Sequence, residues 1–209
     1  MIDNLFFIGG PHGSGKTTLV DKLKEQMQDL LVPELMTRTP KFYSGIPEDE
    51  VDFFHRQALK HAERAIENYE YYQIAKSEPD KVIIGNRTYY DVLAYDYGYF
   101  RRGWITEEER IILEESSRFM VHPDLIEPLT IILNPGFDVC QRHLQERWKT
   151  KQKKFMERDR DYLIAICEAY CRFLDYPNVY YIDHEIDFNG NDASQVIDWM
   201  EKVRGGVLV

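Results

Sequence analysis

The stretch GGPHGSGKTT at residues 9–18 constrains the chain more than any other part of it. A turn so rich in glycine does not sit inside a helix or strand, because glycine gives up more conformational freedom on folding than any other residue. Residues 10–17 fit the pattern G-x-x-x-x-G-K-[ST], which about one chain in a hundred of this size would carry by chance at average composition. Ahead of it, NLFFIG (4–9) is short, apolar and bounded by glycine, as a buried parallel strand is. Behind it, TTLVDKLKEQMQDLL (17–31) places Leu19, Val20, Leu23, Met27, Leu30 and Leu31 at helical spacing. Strand, glycine loop and helix N-terminus in that order converge backbone N–H groups on an anion. On this reading Gly10, Gly13, Ser14, Gly15, Lys16, Thr17 and Thr18 hold a nucleoside triphosphate. Gly13 and Gly15 let the loop curl around phosphate oxygens. Lys16 reaches the β and γ phosphates, and the Thr17 hydroxyl joins a magnesium shell.

The rest of the chain alternates strand and helix signals. A second strand is expected around VPELMT (32–37), then the turn-rich loop RTPKFYSGIPEDE, then a long amphipathic helix from about 51 to 76. KVIIG (81–85), LTIILN (129–134) and NVYYID (178–183) read as three more buried strands. Helices are expected to about 102, from 106 to about 120 with Thr106 as N-cap and Glu109 three residues on, from 136 to about 149, and over DASQVIDWMEKV near the end. Five strands alternating with helices predict one α/β domain spanning 1–209: a three-layer fold with a parallel sheet covered on both faces by right-handed crossovers.

Composition narrows the partners. Lys and Arg total 26 against 36 Asp and Glu, a formal charge of −10, so nucleic acid and anionic membranes are repelled by the average surface. No apolar run approaches the ~20 residues of a membrane span. Three cysteines, with no secretory pattern before the first apolar run, predict a reducing, cytoplasmic setting. Cys167 and Cys171 lie four apart and fit core packing, since no further ligands for zinc accompany them. His12 is expected to face solvent or a neighbouring helix, and His55 and His61 to lie on the surface of the long helix.

Several segments beyond the phosphate loop resemble the deoxynucleoside kinase and thymidylate kinase group, over nearly the whole chain. Pro33 and Glu34 in LLVPELMTRTP look like the V-P-E-P of deoxynucleoside kinases, whose glutamate takes the proton from the sugar 5′-hydroxyl. NRT (86–88) stands where that group has E-R-S or D-R-Y. HPDL (122–125), DVCQRHLQER (138–147) and YLIAICEAYCRFL (162–174) resemble the segment before the fourth strand, the lid and the helix after it. VYYIDHEIDF (179–188) is similar to the closing strand and acidic loop. The resemblance implies an ATP- and magnesium-dependent kinase acting on a nucleoside-like small molecule. Glu34 is then the base, Arg87 the bridge between acceptor and triphosphate, and the basic segment 146–160 the lid. That segment carries seven Lys and Arg residues, of which Arg147, Arg158 and Arg160 are the candidates for the transferring phosphate; a solvated basic helix face is the plain alternative. The resemblance also implies homodimerisation through the long helices.

Two departures keep alternatives open. Asn86 occupies the place of the group's acid, so either Asp91 substitutes near magnesium, or the triphosphate and Thr17 suffice, or the fold binds nucleotide without turnover. Arg38, in TRTP, matches the thymidylate kinase arginine that grips an acceptor phosphate, which needs no base. Glu34 and Arg38 therefore argue for a hydroxyl and a phosphate acceptor respectively, and the lid and closing segments favour the hydroxyl. Among nine aromatic residues in the region of the acceptor pocket, Tyr43 and Phe54 are the candidates to sandwich a base. RGGVLV (204–209) reads as a tail beyond the last helix.

Overall fold

The computed structural model describes residues 2–35, 52–150, 156–187 and 189–207. Five parallel strands form one sheet in the order β2-β3-β1-β4-β5: β1 Leu5–Gly9, β2 Leu30–Leu31, β3 Val82–Asn86, β4 Thr130–Leu133 and β5 Val179–Ile182. Seven α-helices are described, α1 Lys16–Gln26, α2 Phe53–Ser77, α3 Tyr89–Arg101, α4 Glu107–Met120, α5 Phe137–Trp148, α6 Arg160–Tyr170 and α7 Asn191–Arg204.

The strands are apolar throughout because both their faces are covered, and the two-residue period decides which residue meets which layer. Phe6, Ile8, Val82, Ile84, Ile131 and Leu133 pack with Leu19 and Leu23 of α1 and Val196, Trp199 and Met200 of α7. Leu5, Phe7 and Ile83 point the other way, onto Tyr71, Tyr72 and Ala75 of α2. Ile132 joins α3 and α6 through Tyr99, Tyr162, Ile166 and Tyr170. The predicted three-layer α/β fold with a five-stranded parallel sheet is therefore the observed one. Thr106 caps α4 in a full capping box with Glu109, as its sequence spacing predicts.

Some boundaries differ. The second strand is Leu30–Leu31, not 32–37, and pairs with Val82 and Ile83; Pro33, which has no N–H to donate, cannot continue the ladder. That pairing also ends α1 at Gln26 instead of 31. Cys167 is buried, but Cys171 is exposed and donates to Cys167 O at 3.5 Å, so only one of the two is core. His61 is 2% exposed, not superficial. Its Nε2 lies 2.8 Å from Asp96 Oδ2, its Nδ1 contacts Ser117 Oγ, and Gln57 donates to Asp96 at 2.8 Å. This buried network ties α2, α3 and α4 together. No helix among the described residues is long and apolar enough to cross a membrane.

Candidate functional site

Strand β1 delivers the chain into the glycine loop at the C-terminal edge of the sheet, where ligands of open α/β sheets bind. Gly10 and Gly13 hold φ of 138° and 79°. A Cβ on Gly10 would lie 2.2 Å from Leu133 O, and one on Gly13 2.5 Å from Cys140 O, so glycine alone fits both turns. Gly15 caps α1 without a side-chain hydrogen bond, and no acid lies in the first turn, which leaves the helix N-terminus to an anion. Thr17 and Thr18 open onto a cavity of about 470 Å³ lined also by His12, Lys16, Arg87, His143, Arg147 and Glu157. Lys16 folds back within the loop, donating to Gly10 O at 2.9 Å, Pro11 O at 2.7 Å and Ser14 Oγ at 3.1 Å. Burial, and then the charge of Arg87, bring its ammonium down to about 7 from an ordinary 10.5.

Strand β3 delivers the second half of the site. Asn86 ends it exposed, its backbone O accepting from Arg64 Nη1 at 2.6 Å. Arg87 then takes φ 68°, a left-handed conformation that non-glycine residues seldom adopt and that collects at functional sites. Its N–H donates to Ile8 O at 2.9 Å, and Thr88 caps α3 in a capping box with Asp91. The kink swings the Arg87 side chain across the loop, over Tyr95 at 4.8 Å and within 3.3 Å of Asp91 Oδ1. Burial works against its charge, but Tyr95 and Asp91 more than offset it and raise its pKa.

Asp91 is 1% exposed and acts as a structural hub. Its Oδ1 accepts from Gly10 N at 3.3 Å, Arg87 Nη1 at 3.3 Å and Tyr170 OH at 2.6 Å, and its Oδ2 accepts from Thr88 N at 2.7 Å. One carboxylate thus ties the glycine loop, Arg87 and helices α3 and α6. Through these four hydrogen bonds Asp91 positions both the loop and Arg87. The described residues hold no group of three or more His, Cys, Asp and Glu side chains placed to bind a metal. Thr17, in a cavity that Lys16, Arg87, Arg147, Glu146, Glu157 and Glu185 also line, fits a magnesium ion held mainly by phosphate oxygens and water.

The basic segment splits. Arg147, at the end of α5, lines the cavity beside the glycine loop and lies 2.5 Å from Glu157 Oε1. Arg158 and Arg160 line neither this cavity nor its neighbour; both are exposed, and Arg160 stacks over Phe137 at 5.1 Å. Residues 151–155 of the lid region lie outside the described residues. Glu157, 2% exposed, joins Arg147 to His12 Nδ1 at 3.6 Å. His143 contacts Gly13 O and Glu185 Oε1, each at 2.7 Å, fastening α5 and the closing acidic loop over the glycine loop.

A second cavity of about 420 Å³ opens beside the first, and the two share His12 and Arg87. Its wall comes from α2, α3, α6 and the turn just before α6: Arg56, Gln57, Lys60, Arg64, Asp91, Val92, Tyr95, Tyr99, Met156 and Tyr162 complete it. Of the two settings expected for His12, the neighbouring helix is the one observed: it stands half-buried between the cavities, its ring 5.3 Å from that of Tyr95 on α3. Phe54 packs beside this core without lining the cavity, and Tyr95, Tyr99 and Tyr162 present the rings instead. Glu34 is exposed, three residues beyond β2, and lines neither cavity. Arg38 and Tyr43 lie outside the described residues. Sequence reasoning missed Arg56, Lys60 and Arg64; their spacing of four on one helix was the available signal.

No protein-family model and no curated protein sequence matches the chain. Solved structures do match. A deoxyadenosine kinase from M. mycoides, solved with the products dCMP and a flexible dCDP, superposes with a TM-score of 0.66 at 12% identity over 95% of this chain and 99% of that one. The same enzyme with bound dATP gives 0.61 at 12% identity over 94% and 99%. With bound dCTP it gives 0.59 at 14% identity over 95% and 99%. At such identities the likeness establishes the fold, and function rests on the site.

Proposed function

We propose that this chain is an ATP- and magnesium-dependent phosphotransferase whose acceptor is a small molecule built on a nucleoside. The observation that carries the reading is the pair of adjoining cavities that meet at His12 and Arg87. One is floored by a glycine loop at a helix N-terminus and the other is walled by tyrosines. Phosphoryl transfer asks the protein for positioning and charge neutralisation more than for covalent chemistry. Lys16 leaves the loop carbonyls for the donor's outer phosphates, and the loop amides and Thr18 orient the chain of phosphates. Arg87 spans donor and acceptor, held by Asp91 and Tyr95. Arg147 reaches the transferring group from the lid. The Thr17 hydroxyl would help hold a magnesium ion brought in with the triphosphate, and that ion would supply charge neutralisation. Tyr95, Tyr99 and Tyr162 offer ring faces to a base, in keeping with the nucleotides bound by the deoxyadenosine kinase of similar fold.

For a hydroxyl acceptor Glu34 is the available base; for a phosphate acceptor none is needed. The exposed apolar residues of α2 (Leu59, Ile66, Tyr69) and α4 (Ile111, Ile112, Phe119, Met120) fit a second copy of the chain, as large apolar surface on a soluble protein marks an interface. Asn86, uncharged where the resembled kinases carry an acid, favours a second reading: a nucleotide-binding protein without turnover. Incubation with ATP, magnesium and a panel of deoxynucleosides and their 5′-monophosphates, with products resolved by chromatography, decides between them. Phosphorylated acceptor is the expected result. Tight ATP binding with no product from any acceptor would leave only the second reading.

A further inference from the structure

Arg56, Lys60 and Arg64 recur every four residues along α2, so they share one helical face. That face is the wall of the second cavity, which Arg87 closes from the end of β3. The described lining thus holds four fixed cations against one acid, Asp91, in a chain whose formal charge is −10. Asp91 is already committed to four hydrogen bonds. The acids that meet Lys60 and Arg64 lie on the same helix. Lys60 contacts Glu63, and Arg64 meets Glu67 Oε2 at 2.5 Å and Asn86 O at 2.6 Å, both through Nη1. A guanidinium has five N–H donors, so these two contacts do not exhaust Arg64. A cavity for an uncharged sugar and base has no use for such an excess of positive charge, whereas a phosphate does.

The reacting end agrees. A hydroxyl acceptor must lose a proton, and the described residues where the cavities meet present no open carboxylate to take it. Asp91 accepts four hydrogen bonds and is paired with Arg87, Glu157 is paired with Arg147, and Glu34 lines neither cavity. A phosphate oxygen is ionised beforehand.

From this juxtaposition we infer that the acceptor is a nucleoside monophosphate, its phosphate gripped by the Arg56–Lys60–Arg64 row and Arg87. A phosphate oxygen of the acceptor bonds to the γ-phosphorus of ATP. The bond from that phosphorus to the bridging oxygen breaks, its electron pair stays on the departing ADP, and no proton moves. The inference deepens the kinase reading and rests on it for the reaction, though not for the binding preference.

Calorimetry in the presence of a non-hydrolysable ATP analogue separates the two. Deoxynucleosides and the matching 5′-monophosphates are titrated into wild-type protein and into Lys60→Gln, a change at a half-exposed side chain that the fold does not need. The monophosphate is expected to bind at least about tenfold more tightly than its nucleoside, and Lys60→Gln to remove about tenfold from the monophosphate alone, as the loss of one charge-assisted contact does. In turnover assays with ATP and magnesium, the 5′-monophosphates and not the nucleosides should be phosphorylated, with ADP formed alongside. Equal affinities, tighter nucleoside binding, an equal effect of Lys60→Gln on both, or phosphorylation of nucleosides only would overturn the inference while the kinase reading stood. Preferred monophosphate binding with no ADP formed would sustain the anionic pocket and sink the kinase reading.

Discussion

Replacing Asp91 by Asn tests whether a single buried carboxylate assembles the site. The two side chains have the same shape, so the change removes charge and accepting capacity and little packing. With the amide oxygen at the Oδ1 position, Gly10 N, Arg87 and Tyr170 OH keep a weaker acceptor, but the amide NH2 is turned against the Thr88 N–H that Oδ2 accepts at 2.7 Å. That leaves a buried donor unsatisfied, a cost of about 1–3 kcal/mol, and breaks the capping box, worth ~1 kcal/mol. Electrostatics cost more. Arg87 is 18% exposed beside a carboxylate that is 1% exposed, and stripping one partner from a buried pair costs about 3–5 kcal/mol. These losses overlap, so the expected destabilisation is about 3–5 kcal/mol in total, or roughly 10 °C in Tm at 2–4 °C per kcal/mol. Urea unfolding followed by tryptophan fluorescence measures it, and an unchanged m-value confirms that stability alone has moved. In an Arg87→Leu background the same substitution should cost at least about 1 kcal/mol less, because the charge it strands is gone. A loss below about 1 kcal/mol in the wild-type background would refute the hub, and a loss unchanged by Arg87→Leu would refute its electrostatic part.

Three further outcomes are expected. The unfolded chain keeps the Lys16 proton up to its ordinary 10.5 and the folded chain releases it near 7, so stability of the ligand-free protein should rise with pH between those values and the rise should vanish in Lys16→Met; by the same linkage ATP binding at pH 8 should take up protons, seen as heats that differ between buffers of different ionisation enthalpy, and identical heats would count against it. Asn86→Asp should lower the magnesium concentration for half-maximal turnover by about tenfold, the worth of one charge-assisted contact, and an unchanged magnesium titration would place residue 86 away from the metal. Ile66→Asp combined with Phe119→Asp, at side chains 53% and 91% exposed, should convert a dimer to a monomer in sedimentation velocity without loss of folded signal, whereas a monomeric wild-type protein would remove the proposed interface.

The sequence by itself determined what is local or periodic. Residues 10–17 specify a glycine loop between β1 and α1 because glycine spacing, a following lysine and the flanking periodicities all act within one turn of chain. The alternating strand and helix signals specify the parallel α/β sheet for the same reason, and Thr106 with Glu109 specifies where α4 begins. Even the misplaced second strand was visible, since Pro33 already barred the ladder from continuing. What joins residues far apart was decided only by tertiary structure. Nothing near Asp91 in the sequence says that its carboxylate meets Gly10 and Tyr170, 81 and 79 residues away, or that Arg87 must adopt a positive φ to face the loop. The charged wall of the second cavity was legible as an i, i+4 row on α2, but which side of that helix is enclosed depends on how it packs against α3 and α4. His61 reads as a surface residue until Asp96 and Ser117 arrive from two other helices. Periodicity tells a chain which face to bury; only the packed neighbours decide which buried or half-buried charge finds a partner, and at this site those partners set the chemistry.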